Sequence, residues 1–360
     1  MINKIKSKYI LKEIFKYIKN RTKLNIIKNN KKILDELDIT KEDFKVYESL
    51  KEFNEIFNLN IRDIDIEELD LSMKINDIEK LKYLNNITFK DLKKLILKEN
   101  HISDITILEN FQFYKLEILD LSNNKISKIS ILENFNCNNL KELYLNDNNI
   151  SDIKVLEKVK FEKLEILNLR SNKISAINIL GKVNFKELKE LYLSHNDIFN
   201  IEVLGKVNFK KLEILTLGNN EISDFNILEK VNFKFLKELF LFKNNVSNID
   251  NLENYKFEQL EILSLFGNEI SDINILEKVN FKNLKKLFLD ENNISDITVL
   301  GSVKFEKLEV LDLSKNKITD INIFENVNFK ELKELYLNDN NISDKKVLEK
   351  VKLDKLKILN

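Results

Sequence analysis

The chain has 360 residues, enough for two ordinary domains or one extended array. Its 59 Lys and Arg balance 59 Asp and Glu, so the formal net charge is zero. That balance argues against nucleic acid as a general partner, because phosphate binding needs a basic excess, and it provides no polybasic anchor for a membrane surface.

In chain order, the first fifteen residues carry Lys4, Lys6, Lys8 and Lys12, and no uninterrupted apolar stretch comes after them that would serve as a signal-peptide core. No run of eighteen apolar residues occurs anywhere, so no membrane span is expected. Tyr9, Ile10, Leu11, Ile14, Phe15 and Ile18 have helical spacing. A second apolar set stands at Leu24, Ile26, Ile27, Ile33, Leu34 and Leu37. Thr40 precedes a third predicted helix, with Phe44, Tyr47, Leu50, Phe53 and Phe57 on its inner face and Glu42 early in it. Residues 1–65 therefore read as a helical segment with two possible roles. It is a small α-helical N-terminal cap on the rest of the chain, or it is an adaptor-binding motif. The second role rests on Ile10 to Ile18 and then Leu24 to Ile33, which together resemble an F-box. The usual Leu-Pro opening and late Trp of that family are missing. The resemblance implies a ubiquitin-ligase adaptor bound through residues 7–37.

From residue 66 to residue 360 one period governs the chain. Leu69, Leu71 and Ile75 form a degenerate first copy. Then Leu116, Leu119, Leu121, Asn124, Ile126, Ile129 and Leu132 return 24 positions later as Leu140, Leu143, Leu145, Asn148, Ile150, Ile153 and Leu156. The asparagine recurs without insertion or deletion from Asn100 to Asn340. In each Leu-x-Leu the leucines point to one face of a short strand and the residue between them to the other. The asparagine sits where the chain turns away, and its amide can satisfy backbone groups that would otherwise be buried unpaired. Ser and Asp, as in Ser151-Asp152 and Ser271-Asp272, precede an apolar turn and suit the start of a short outer helix. Phe recurs at 89, 113, 161, 185, 209, 233, 257, 281, 305 and 329 as an aromatic spine for the outer layer. Cys137 occupies the missing spine position, which predicts a small buried hydrophobe, with Phe135 filling the lost volume. A single cysteine permits no disulfide framework within the chain, and a reducing compartment, cytoplasmic or nuclear, is the simplest expectation. Near the end Lys345 replaces an expected Ile and Leu353 an expected Phe, and Leu359-Asn360 fall in the middle of a strand. That pattern suits either a half-repeat cap or a truncation.

The pattern L-x-x-L-x-L-x-x-N-x-I-x-x-I-x-x-L resembles the leucine-rich-repeat family. It is similar to the short-helix type seen in internalins and in the leucine-rich regulatory subunit of protein phosphatase-1, although those repeats usually run shorter than the period found in this chain. The resemblance implies an α/β solenoid: a leucine-rich-repeat arc with a parallel concave sheet and short helices on the convex side. It also implies that the concave face binds a protein.

On that face two columns alternate. Before the second leucine stand Ile118, Glu142, Ile166, Glu190, Ile214, Glu238, Ile262, Lys286, Val310 and Glu334. After it stand Asp120, Tyr144, Asn168, Tyr192, Thr216, Phe240, Ser264, Phe288, Asp312 and Tyr336. The alternation makes the genetic unit a pair of coils, twice the basic period, and predicts a zigzag apolar ribbon. Beside it Lys141, Glu165, Lys189, Glu213, Lys237 and Glu261 alternate in sign and are expected to pair across the sheet. After the third leucine most copies are polar, but two successive ones carry Phe242 and Phe266. With Phe240, Ile262 and Phe288 these predict an exposed aromatic cluster, and the candidate partner site is Tyr144, Tyr192, Phe240, Phe242, Ile262, Phe266, Phe288 and Tyr336. The competing reading is that aromatic and β-branched residues simply suit strands.

No enzyme is expected. His195 lies near Asp197 with no nucleophile placed by any motif, and there is neither a Gly-rich phosphate loop nor His/Cys metal spacing. No cofactor and no metal are expected. The Asp column from Asp104 to Asp344, broken by Lys128, Ala176, Asn200 and Asn248, reads as capping rather than as a row of cation sites. The functional expectation is a non-enzymatic protein-binding scaffold or regulator, with the ubiquitin-ligase substrate receptor as the alternative.

Overall fold

The computed structural model describes residues 41–62, 64–111, 113–344, 346, 347, 355, 356, 358 and 359. The helix α1 (Lys41–Phe57) is the third of the predicted N-terminal helices. The two earlier helices and the F-box resemblance at 7–37 lie outside the described residues, as do Lys345 and Leu353. Leu50, Phe53 and Phe57 recur three and four residues apart, so one helical face is apolar and all three are buried. Phe53 meets Phe89, the first ring of the spine, edge-on at 5.8 Å. The helix thus rests on the first coil. It ends at Asn58 in the left-handed region, φ 50°. Asn54 then holds the departing chain, accepting from the Ile61 N–H at 2.7 Å and donating to the Ile61 carbonyl at 2.8 Å.

After the helix come thirteen strands in one parallel sheet whose spatial order is their chain order. They run from β1 (Glu68–Asp70) through β2 (Lys94–Ile96), β3 (Ile118–Asp120), β4 (Glu142–Tyr144), β5 (Ile166–Asn168), β6 (Glu190–Tyr192), β7 (Ile214–Thr216), β8 (Glu238–Phe240), β9 (Ile262–Ser264), β10 (Lys286–Phe288) and β11 (Val310–Asp312) to β12 (Glu334–Tyr336) and β13 (Ile358–Leu359). From β2 onward each residue pairs with its counterpart one period later, as Leu143 with Leu167 and Leu167 with Leu191. The two leucines of each Leu-x-Leu are buried, as are the Phe spine and Cys137. Phe135 lies 5.7 Å from Phe113, so a second ring does help fill the gap that Cys137 leaves.

The convex connections are 3-10 turns of mostly four or five residues, from Thr106–Asn110 to Asn322–Glu325. Too few residues separate the Ile-x-x-Leu pair from the next Phe for a full α-helical segment. The Asp column performs the expected capping in a modified form. Asp152 Oδ1 accepts from the Lys154 N–H at 2.8 Å, two residues on, and Asn200 and Asn248 do the same for Glu202 and Asp250. Only Lys128 and Ala176 truly interrupt that column.

The recurring asparagine forms a buried ladder. Asn196 Oδ1 accepts from the Ile174 N–H at 3.0 Å, and its Nδ2 donates to the carbonyls of Leu169 and Leu193, each at 3.0 Å. Each such side chain therefore ties its own coil to the one before. The residue just ahead of it adopts a left-handed backbone in every coil, from Glu99 (φ 55°) to Asp339 (φ 57°), and only Gly267 is a glycine there. The left-handed turn aims the asparagine inward, at a cost of roughly 1–2 kcal/mol for a residue with a Cβ.

Candidate functional site

On the concave side the two alternating columns lie in register. Tyr144 pairs with Asn168, Tyr192 with Thr216, and Phe240 with Thr216 and Ser264. The predicted charge column also forms. Lys141 meets Glu117 at 2.7 Å, Lys189 meets Glu165 at 2.6 Å, Lys237 meets Glu213 at 2.6 Å and Lys285 meets Glu261 at 2.7 Å. Every lysine takes the glutamate of the coil before it, so ion pairs close within two-coil units. At this exposure each contributes little to stability.

The tyrosines of the candidate site are engaged with their own strands. Tyr144, Tyr192 and Tyr336 donate to Glu142, Glu190 and Glu334 at 2.9, 2.6 and 3.0 Å. Sequence reasoning missed this two-residue bond, although Glu-Leu-Tyr recurs in all three strands. Burial, and then the hydrogen bond to the carboxylate, push the Tyr144 and Tyr192 phenols above their ordinary range. Tyr144 on β4 stands four strands from β8, roughly 19 Å away. Phe240, Phe242, Ile262, Phe266 and Phe288 lie on three adjacent coils, and Tyr192 and Tyr336 stand two strands beyond either end of that group.

Phe242 and Phe266 stack face to face, with centroids 4.8 Å apart and planes 4° from parallel. All five apolar residues of the group are half-buried rather than exposed as predicted. For Phe242 the reason is Gly218, one coil earlier in the same column. A Cβ at Gly218 would collide with the Phe242 ring, so the ring lies flat over the glycine backbone. His195 meets Phe242 edge-on at 6.1 Å, and Lys243 Nζ lies 5.7 Å from the Phe266 centroid. Burial, and then the Arg170 charge, hold His195 below its ordinary value, which suits an imidazole packed on a ring. The signal for Gly218 was available in the sequence, since it is the one glycine in a column of larger residues.

Most acidic groups on this face are occupied. Asp70, Asp120 and Asp312 accept from Ser72, Ser122 and Ser314, and the three Glu-x-Tyr carboxylates accept from their phenols. Glu238 differs because Phe240 replaces the tyrosine two residues on. Burial, and then repulsion from Glu261, raise its carboxyl. Asp290 comes after the third leucine of its coil, next to Phe266 in the column. Burial, and then repulsion from Asp312, push it up to about 6. Thr216 lies between Tyr192 and Phe240, and its hydroxyl is buried with no hydrogen-bond partner. A groove lies elsewhere, on the outer side around Lys128, Asp152 and Ala176, where Lys154, Lys158 and Lys182 are taken up by Asp152, Glu133 and Glu157. Among the described residues no group of three His, Cys, Asp or Glu is arranged to hold a metal ion, and no helix is long and apolar enough to cross a membrane.

The family profile described as leucine rich repeats (2 copies) matches residues 115–158 and 138–182, and one described as leucine rich repeat matches residues 282–342. Among solved structures the chain is similar to an internalin of Listeria monocytogenes, with 28% identity, a TM-score of 0.65, and 87% of this chain and 94% of that one covered. The chain is a leucine-rich-repeat protein. A second Listeria monocytogenes structure, the functional domain of an internalin with a cysteine ladder, shares the leucine-rich-repeat fold at 17% identity and TM-score 0.56, covering 88% of this chain and 74% of that one. A leucine-rich-repeat ectodomain of an Arabidopsis thaliana membrane receptor kinase, solved in complex with a Casparian strip integrity factor, shares it at 20% identity and TM-score 0.51, covering 83% of this chain and 41% of that one. No curated protein matches the chain. The leucine-rich-repeat fold is typical of protein-binding scaffolds.

Proposed function

We propose that this leucine-rich-repeat protein is a non-enzymatic scaffold or regulator that binds a protein partner on its concave face, with the contact centred on Phe242 and Phe266. The observation that carries this reading is the face-to-face stack of those two rings where the other coils carry polar or small residues. Interdigitated strand residues would explain Phe240 and Phe288, which lie in the strands. They do not explain Phe242 and Phe266, which stand beyond the strands where the sheet already ends. Covering one such ring contributes roughly 1.5–3 kcal/mol, and aromatic residues are common interface anchors. Phe242→Asp combined with Phe266→Asp should leave the circular dichroism spectrum unchanged and abolish recovery of the partner in affinity purification coupled to mass spectrometry. Unchanged recovery would move the site elsewhere on the arc.

A further inference from the structure

The concave face carries two carboxylates that no side chain among the described residues pairs with. Among the described residues Glu238 has no hydrogen-bond or ion-pair partner. Of the lysines that attract it, Lys237 is bound to Glu213 at 2.6 Å, and Lys286 acts only from a distance. Asp290 has no partner beyond its own backbone N–H and is attracted by Lys315, whose ammonium is bound to Glu291 at 2.5 Å. In the Glu238 column Glu190 shows what the fold does with an acid there: the Tyr192 hydroxyl two residues on takes it up, and at Glu238 that place is held by Phe240. Asp290 is the one acid in its own column, between Phe266 and Ser314.

The acids bracket the rings. Glu238 opens β8, two residues before Phe240, and its register partner on the next coil is Ile262. Asp290 lies two coils on and further along the chain direction, in the column of Phe242 and Phe266. Strand spacing and rise per residue put the two backbones roughly 16 Å apart, about five residues of extended chain. The line between them crosses the aromatic group. Thr216, next to Phe240 in its column, adds a buried hydroxyl with no partner at the margin of the same group.

Building on the concave-face reading above, we propose that the occupant of this face is an extended, basic–apolar–basic protein segment: two Lys or Arg side chains about five residues apart reach Glu238 and Asp290, and an apolar side chain between them covers Phe242 and Phe266. Charge complementarity selects this class. An acidic segment would bring like charges against two acids that already lack counter-ions, and a neutral one would leave both desolvated and unpaired. Two separated cations flanking an apolar anchor satisfy both acids and the rings at once.

The test uses the full chain as bait for phage-displayed random dodecapeptides, with synthetic copies of the selected peptides measured by fluorescence anisotropy. The expected selection carries two basic residues four to six positions apart around an apolar one. The expected affinity falls at least tenfold for the Glu238→Gln, Asp290→Asn double variant and at least tenfold for the Phe242→Asp, Phe266→Asp variant. Melting curves of both variants check that they are folded. Selected peptides that are neutral or acidic yet lose binding to the phenylalanine variant would overturn the basic-segment proposal and leave the concave-face reading standing. So would basic peptides that bind the carboxylate variant unchanged. Peptides indifferent to the phenylalanine variant would overturn both, as would a selection that enriches nothing. A concentration-dependent dimer dissociated by Phe242→Asp with Phe266→Asp would make the occupant a second copy of the chain and overturn the proposal as well.

Discussion

Replacing Asn172 and Asn196 together with alanine should cost more than the two single replacements combined. Asn196→Ala orphans the Ile174 N–H, which is fully buried, at a cost of about 1–3 kcal/mol. The carbonyls that Asn196 served are not orphaned. Leu169 keeps its bond from Asn172 at 3.1 Å, and Leu193 keeps its bond from Asn220 at 3.1 Å. Asn172→Ala likewise orphans the Ile150 N–H, while Asn148 still serves the Leu145 carbonyl. Only the double variant strips the Leu169 carbonyl of both donors. The coupling should therefore be about 1–2 kcal/mol beyond the sum, the cost of one more buried group left unpaired. Asn172→Ala with Asn268→Ala is the control, since Asn268 serves the carbonyls of Leu241 and Leu265 and shares none with Asn172. Equilibrium urea unfolding monitored by circular dichroism gives the stabilities of the parent and the five variants. Additivity of the adjacent pair within about 0.5 kcal/mol, matching the distant pair, would show that the shared carbonyl does not matter and refute the ladder as described.

The site and the core support three further expected outcomes. Asp290 titrates near 6 in the folded chain against an ordinary 3.8, so below pH 3.8 both states are protonated and carry no penalty, and above about 6 the penalty is full. Asp290→Asn should therefore gain stability over the parent as pH rises from 4 to 7, by up to about 1 kcal/mol after solvent screening at this half-exposed group, and a gain that shrinks over that window would contradict the assignment. Gly218→Ala should drive the Phe242 ring off the backbone, cost about 1–3 kcal/mol in thermal denaturation and remove the mutual ring-current shifts of Phe242 and Phe266 in aromatic NMR spectra. Unchanged shifts would mean that the ring does not lie where the glycine leaves room. Burial pushes the Cys137 thiol up to about 12, so it should stay unmodified by a thiol-disulfide reagent at pH 8 until denaturant unfolds the array, and rapid labelling of the native chain would disprove its core role.

Much of the fold was legible because a strict period without insertions leaves few alternatives. Leu119, Leu121 and Asn124 announce a buried strand and its turn by type and spacing alone, and the ladder bonds of Asn124 are those its amide allows. The left-handed residue before each asparagine was missed. Its signal was present in Asn123, Asp147, Asn219, Gly267 and Asp339, residue types that tolerate that conformation, but Glu99 and Lys243 diluted it. In the site the columns were readable, whereas the lie of the rings was not. Whether Phe242 stands up or lies down depends on Gly218, which is a full coil away in sequence and adjacent in space. The pairing of tyrosines with glutamates was equally hidden, because it reverses what the aromatic column suggests: those phenols face their own strand's carboxylates.

The two-coil unit closed by Lys141 with Glu117, and by Lys189 with Glu165, limits how such a chain can change length. Loss of the single coil 141–164 would leave every leucine and asparagine in step, yet it would set Glu117 directly against Glu165, with no lysine between them. Loss of two whole coils would leave each acid beside its base. Growth and shrinkage of this array are therefore penalised in odd numbers of turns and tolerated in even ones, a parity rule written on its inner wall and invisible to its hydrophobic interior.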